Sequence, residues 1–123
     1  MKFNDSSFEI LAKAFEVHTI LGPGLLESTY QECLFYELTK AGFDVQKELS
    51  LPLCYKDLDL EKAYRIDLLI NNIIVVEVKA VERFLPVHEA QILTYMKLGD
   101  YKTGLLINFN TKSLKEGIKR FVY

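Results

Sequence analysis

The chain has 123 residues, half of them hydrophobic, with 15 Lys and Arg against 17 Asp and Glu. That is one domain's worth of chain, too apolar for disorder, too balanced in charge for a nucleic-acid coat protein, and without the ~18-residue apolar run of a membrane helix. Met1-Lys2-Phe3-Asn4-Asp5 is not the start of a secretory leader, and Cys33 and Cys54 have no metal or disulfide spacing, so a single cytoplasmic domain over residues 1–123 with reduced core thiols is expected.

Asp5-Ser6-Ser7 offers helix caps, and Phe8, Leu11, Ala12, Phe15 and Thr19 then recur at helical spacing until Gly22-Pro23-Gly24 breaks the run. A second helix carries the stripe Leu26, Tyr30, Cys33, Leu34, Leu38 and Ala41 and closes at Gly42. The period then changes to that of strands. Phe43 to Tyr55 reads as a strand in which Pro52 favours an edge, and Lys56-Asp57 as a turn. Tyr64 to Ile70 and Ile73 to Lys79 flank Asn71-Asn72, the best hairpin signal in the chain. Pro86 opens a third helix that Gly99 ends. Lys102 to Asn108 is an apolar strand, Ser113 to Gly117 a short helix, and Ile118 to Tyr123 a last strand. The order ααβββαβ(αβ) predicts an α/β fold, a mixed central sheet flanked by helices.

Hairpin register decides which side chains meet. A two-residue loop at Asn71-Asn72 sends Asp67 and Glu77 to opposite faces. A three-residue loop, Asn71-Asn72-Ile73, sets Asp67 opposite Glu77 and Arg65 opposite Lys79, and gathers Ile66, Leu68, Ile70, Ile74, Val76 and Val78 on one apolar face. Burial favours the second register, although two-residue loops are commoner. Opposed carboxylates repel unless a divalent cation lies between them, and oxygen donors suit Mg²⁺. With Lys79 on the same face, Asp67 and Glu77 make a candidate site for metal-assisted hydrolysis of a phosphate ester. The competing reading is a solvated lattice of salt bridges among Asp67, Glu77, Arg65 and Lys79.

Asp67 followed by Glu77-Val78-Lys79 resembles the PD-(D/E)xK nuclease core, in which a carboxylate precedes an acidic-x-Lys tripeptide within a sheet. Gly24-Leu25-Leu26-Glu27-Ser28-Thr29-Tyr30 is similar to the naming motif of one branch, the GxxExxY proteins. Tyr64-Arg65-Ile66-Asp67-Leu68-Leu69, Pro86-Val87-His88-Glu89-Ala90-Gln91 and Gly104-Leu105-Leu106-Ile107-Asn108-Phe109 resemble its later motifs, in order. The resemblance implies a nuclease-like (restriction-endonuclease-like) fold and hydrolysis of phosphodiester bonds in DNA or RNA with Mg²⁺ or Mn²⁺. It implies Asp67, Glu77 and the Val78 carbonyl as metal ligands. Lys79 would orient the attacking water, and Glu27 would add a ligand or general base. Gln91 and Tyr95, four apart, match the Q-xxx-Y element of RecB-like nucleases.

Other readings stand beside these. Ser28 and Gln31 can form a capping box, with Glu27 serving the helix dipole. His18 and His88 read as packing residues, and Tyr30 and Tyr95 as half-buried. Arg65 and Arg83 near the site, with Lys112, Lys115, Lys119 and Arg120 at the C-terminus, are candidate nucleic-acid contacts or simply a solvated face with Glu116. The alternative to a nuclease is a non-catalytic nucleic-acid- or protein-binding module that keeps the fold. A homodimer or a targeting partner, and no membrane, complete the expectations.

Overall fold

A computed structural model describes residues 3–123. The chain forms helices α1 (Ser7–Leu21) and α2 (Glu27–Lys40), then strands β1 (Val45–Tyr55), β2 (Leu58–Ile70) and β3 (Ile74–Lys79). Helix α3 (Pro86–Gly99), strand β4 (Thr103–Asn108), a 3₁₀ turn at Leu114–Gly117 and strand β5 (Ile118–Val122) follow. The strands make one sheet in the order β1-β2-β3-β4-β5, antiparallel except for β3 and β4. Parallel neighbours need a crossover, and α3 provides it. This is the mixed, helix-flanked α/β sheet expected from the element order.

Helices cover both faces of the sheet, which is why β3 and β4 are buried along nearly their whole length. On one face, α1 and α2 bury Ile10, Ala14, Val17, Tyr30, Leu34 and Leu38 against Leu68, Ile70, Val76, Val78, Leu105 and Ile107. On the other, α3 buries Ile92 and Met96 against Ile66, Leu69, Val75 and Leu106. Each fully buried aliphatic contributes about 1.5–3 kcal/mol, so the strands that carry the site are anchored from above and below. Gly104 marks the closest approach of α3 to the sheet, since a Cβ there would stand 2.5 Å from the Met96 sulfur.

Several expectations need correction. The buried side of α1 holds Ile10, Leu11, Ala14, Val17 and His18, whereas Phe8 and Phe15 are 48% and 41% exposed and Ala12 and Thr19 are also exposed. Two apolar stripes overlap on this helix, and periodicity does not tell which one the sheet covers. Leu26 and Ala41 flank α2 in the open, and Cys54 is exposed on β1. Strand β2 starts at Leu58, not Tyr64, because Lys56-Asp57 turns a long β1–β2 hairpin. Gly99 is the last residue of α3, and Asp100 takes the left-handed cap with φ 57°. Ile66 packs under α3, away from Leu68. The alternation slips at Asp67, which lies across from Glu48, a residue with φ 53°.

Among the described residues, no helix is long and apolar enough to cross a membrane.

Candidate active site

The β2–β3 turn is the three-residue loop Asn71-Asn72-Ile73. Asn71 and Asn72 adopt φ of 54° and 57°, which asparagine tolerates, and Ile73 N–H donates to the Ile70 carbonyl at 3.0 Å. The register is Ile70↔Ile74, Leu69↔Val75, Leu68↔Val76. The next step of that register sets Asp67 opposite Glu77. Here side chains replace backbone rungs: Asp67 N–H donates to Glu77 Oε2 at 2.8 Å, and Val78 N–H donates to Asp67 Oδ2 at 2.8 Å. The acids that the sequence sets against each other therefore lie together, fixed by backbone donors.

Both are withdrawn from water, Asp67 at 9% and Glu77 at 2% exposure. Burial pushes the Glu77 carboxyl up to about 8, with the neighbouring Asp67 charge adding to it and the Asp67 N–H and Lys79 opposing. Burial likewise raises Asp67, against the Val78 N–H and Lys79. Among the described residues, no cationic side chain is hydrogen-bonded to either acid; the Lys79 ammonium instead donates to Gln91 Oε1 at 3.2 Å. Gln91 Nε2 donates in turn to the Tyr95 hydroxyl at 2.9 Å, and the Tyr95 ring stacks on Tyr64 at 5.1 Å. Residues four apart on α3 thus form one relay, Tyr95 holding Gln91 and Gln91 holding Lys79.

Glu27 begins α2. The capping residue is Leu26, with no side-chain cap bond, so the Ser28–Gln31 box does not form. The Glu27 carboxylate accepts from Ala80 N–H at 3.3 Å, directly after Lys79. Tyr30 accounts for this placement. It is fully buried, not half-buried as expected, and its ring stacks on Phe109 at 4.7 Å. Its hydroxyl donates to the Gly22 carbonyl at 2.6 Å and accepts from Leu25 N–H at 3.1 Å. The loop before Glu27 is thereby tied to the core. Among the described residues, no three His, Cys, Asp or Glu side chains converge on one metal-sized point, so Asp67 and Glu77 stand as a pair with Glu27 at the adjoining backbone.

The donor chemistry of the pair fits a hard divalent cation. Two buried carboxylates carry charge that burial disfavours, and a cation would relieve both. Val78 spends its N–H on Asp67; a strand residue presents its carbonyl on the same edge, toward the pair.

Sequence reasoning missed Asn108, buried at 2% and paired with Lys79 across the parallel strands. Its Oδ1 accepts from Val81 N–H at 3.0 Å and Asn110 N–H at 3.1 Å, and its Nδ2 donates to the Val81 carbonyl at 2.8 Å. It clamps the chain leaving Lys79. A polar residue closing the run Leu105-Leu106-Ile107 was the available signal.

The candidate phosphate contacts do not form one patch. Arg65 lies 3.5 Å from Glu48, while Arg83, Lys112 and Lys115 are exposed. Lys119 and Arg120 are neighbours on β5 and so face opposite sides. Lys119 reaches Glu89 of α3 at 2.6 Å, and Arg120 reaches Asp5 and Ser7 beside α1 at 3.1 Å. His18 is buried with Nε2 2.7 Å from the Thr111 carbonyl, as befits packing. His88 instead accepts from Leu85 N–H at 3.0 Å, capping α3.

No curated protein and no solved structure matches the chain. A family model described as the PD-(D/E)XK nuclease superfamily matches residues 4–121, which takes in the acid pair, Lys79, Glu27 and the Gln91–Tyr95 turn. The chain belongs to the PD-(D/E)XK nuclease superfamily.

Proposed function

We propose that the protein hydrolyses phosphodiester bonds of nucleic acid with a divalent cation held by Asp67, Glu77 and the Val78 carbonyl, and that it falls in the GxxExxY branch of its superfamily. The observation that carries this reading is the buried acid pair, set face to face by register, with Lys79 close by but, among the described residues, no cationic side chain hydrogen-bonded to either acid. Members of the superfamily generally use divalent metals, which accords with Mg²⁺ or Mn²⁺ here. When bound, such a cation lowers the pKa of a coordinated water and draws charge from phosphate oxygens.

The chain's own residues do the rest. Lys79 holds a positive charge beside the acids, oriented by Gln91 for charge that develops on the phosphoryl oxygens. Gln91 is itself fixed by Tyr95, so the ammonium is placed before substrate arrives. Glu27 secures the backbone at Ala80 and adds a carboxylate at the rim, as a further ligand or a base for the attacking water. Arg65, Arg83, Lys112 and Lys115 offer dispersed phosphate contacts, which give weak, salt-sensitive binding.

A test incubates the protein with single- and double-stranded DNA and RNA, with and without Mn²⁺. Cleavage that requires Mn²⁺ and disappears in Lys79→Ala supports the reading; cleavage that persists in Lys79→Ala sinks it. A second reading is a binding module without catalysis, favoured by one observation: a shared proton can hold the acid pair in place of a cation, because Glu77 titrates near 8. Nucleic-acid binding without Mn²⁺ binding or cleavage would select it.

A further inference from the structure

Glu48 takes a backbone conformation that its residue type rarely adopts, with φ 53° inside β1. The flanking pairs Lys47↔Leu68 and Leu49↔Ile66 set it directly across from Asp67. In a regular strand its carboxylate would share a face with Asp67, and like charges so placed repel. One irregular residue in a strand re-aims its side chain. The Glu48 carboxylate accordingly rests 3.5 Å from the Arg65 guanidinium, both side chains about half exposed. Arg65 lies two residues before Asp67 on β2. Burial raises both Asp67 and Tyr95, and the Arg65 charge opposes that rise in each, so the guanidinium is within electrostatic reach of the site. Arg120, by contrast, is committed: it donates to Ser7 and Asp5 at 3.1 Å with most of its side chain buried. The Arg65 pair is too long for a charge-assisted hydrogen bond and too exposed to contribute much, so it exchanges easily.

We propose that Glu48 is a latch on Arg65, a carboxylate that occupies the guanidinium in the free protein and gives it up to a backbone phosphate of the nucleic-acid strand beside the acid pair. The proposal rests on the nucleic-acid reading above and adds to it a residue that tunes affinity. Carboxylate and phosphate both offer paired oxygens to a guanidinium, so they compete for one donor fork. A lone anion only trades places with Glu48. A polynucleotide brings further phosphates to the dispersed cations, Arg83 among them, and that added attraction displaces the latch. Backbone strain of this kind collects at functional sites, and a latch explains why the position holds Glu. Glycine would fit φ 53° at no steric cost, but it carries no carboxylate.

Fluorescence anisotropy of short labelled DNA and RNA, single- and double-stranded, tests this in EDTA over about 50 to 200 mM salt. Binding is then read without cleavage, whatever the acid pair hydrolyses. Glu48→Gln tightens binding about two- to fivefold, and Glu48→Gly, which also relieves the backbone, does the same. Arg65→Gln weakens binding and lowers the salt slope by about one. In an Arg65→Gln chain, neither Glu48 change alters binding. Equal tightening with and without Arg65, which simple repulsion by an acid would give, overturns the proposal. So does a Glu48→Gln chain that binds no tighter, or a wild type that binds none of the probes at about 50 mM salt. A chain that cleaves with Mn²⁺ yet fails these comparisons keeps its proposed activity and loses only the latch.

Discussion

Asp5 and Glu77 are both acids drawn out of water, and the fold treats them in opposite ways. Asp5 loses solvation too, but its oxygens accept from Ser7 N–H at 2.9 Å, Thr103 Oγ1 at 2.8 Å and the Arg120 guanidinium at 3.1 Å, and these bonds hold it at about 2. Glu77 has backbone help and a second acid beside it, and sits at about 8. The Asp5 cluster is complete: it ties the lead-in to α1 to β4 and β5. Among the described residues no bonded cation completes the Glu77 cluster, and a buried acid held so far above its ordinary range points to a ligand.

Removing the functional partners should separate the two clusters most widely. Lys79→Ala or Asp67→Ala lowers metal-dependent cleavage by at least about 10²-fold. Asp5→Asn leaves the cleavage rate within a few fold, since Asp5 touches none of the site. The comparison breaks if both clusters respond alike in a cleavage assay.

Stability should move the other way. Arg120→Ala strips Asp5 of its partly buried cation and costs about 1–3 kcal/mol in urea unfolding. Glu77→Gln keeps an oxygen for the Asp67 N–H while removing the opposed charge, so the metal-free protein gains stability.

The pH dependence sharpens the contrast. Glu77 has a folded value of about 8 against an ordinary 4.5, so its contribution is full below pH 4.5 and is lost as pH rises through 8. Asp5 has a folded value of about 2 against 3.8, so its contribution is full above pH 3.8 and is lost as pH falls through 2. Thermal melts without metal should therefore decline on both sides, and Glu77→Gln should flatten only the alkaline limb.

Gln91→Leu gives the smallest effect. It frees the Lys79 ammonium from one charge-assisted hydrogen bond and lowers cleavage about tenfold, with the fold intact by circular dichroism.

The hairpin was the most legible part of the sequence. Its register follows from burial, because a one-residue slip would have put Glu77 and Lys79 among apolar side chains, and that single constraint brought Asp67 to Glu77. The same reasoning failed where one helix offered two stripes: Phe8 and Phe15 looked as buriable as Ile10 and Ala14. The Leu58–Ala63 half of β2 was missed because it lies outside the packed sheet, where Asp59, Glu61 and Lys62 mask the alternation. Partners far apart in sequence were not readable at all: the Asn108 clamp on Val81, the Asp5–Arg120 pair and the Glu27 contact with Ala80 exist only after the sheet has formed. Gln91 and Tyr95 reached notice through family resemblance, and the structure places Gln91 on Lys79 and Tyr95 on Gln91.

The central claim is that the acid pair is built to hold a cation. Mn²⁺ titration by calorimetry at pH 7 and pH 8, on wild type and on Glu77→Gln, tests it most directly. Wild type should bind saturably, more tightly as pH rises toward 8, and a Glu77→Gln protein that is nonetheless folded should not bind. Absence of heat with wild type at millimolar Mn²⁺, or equal binding to the variant, would contradict it.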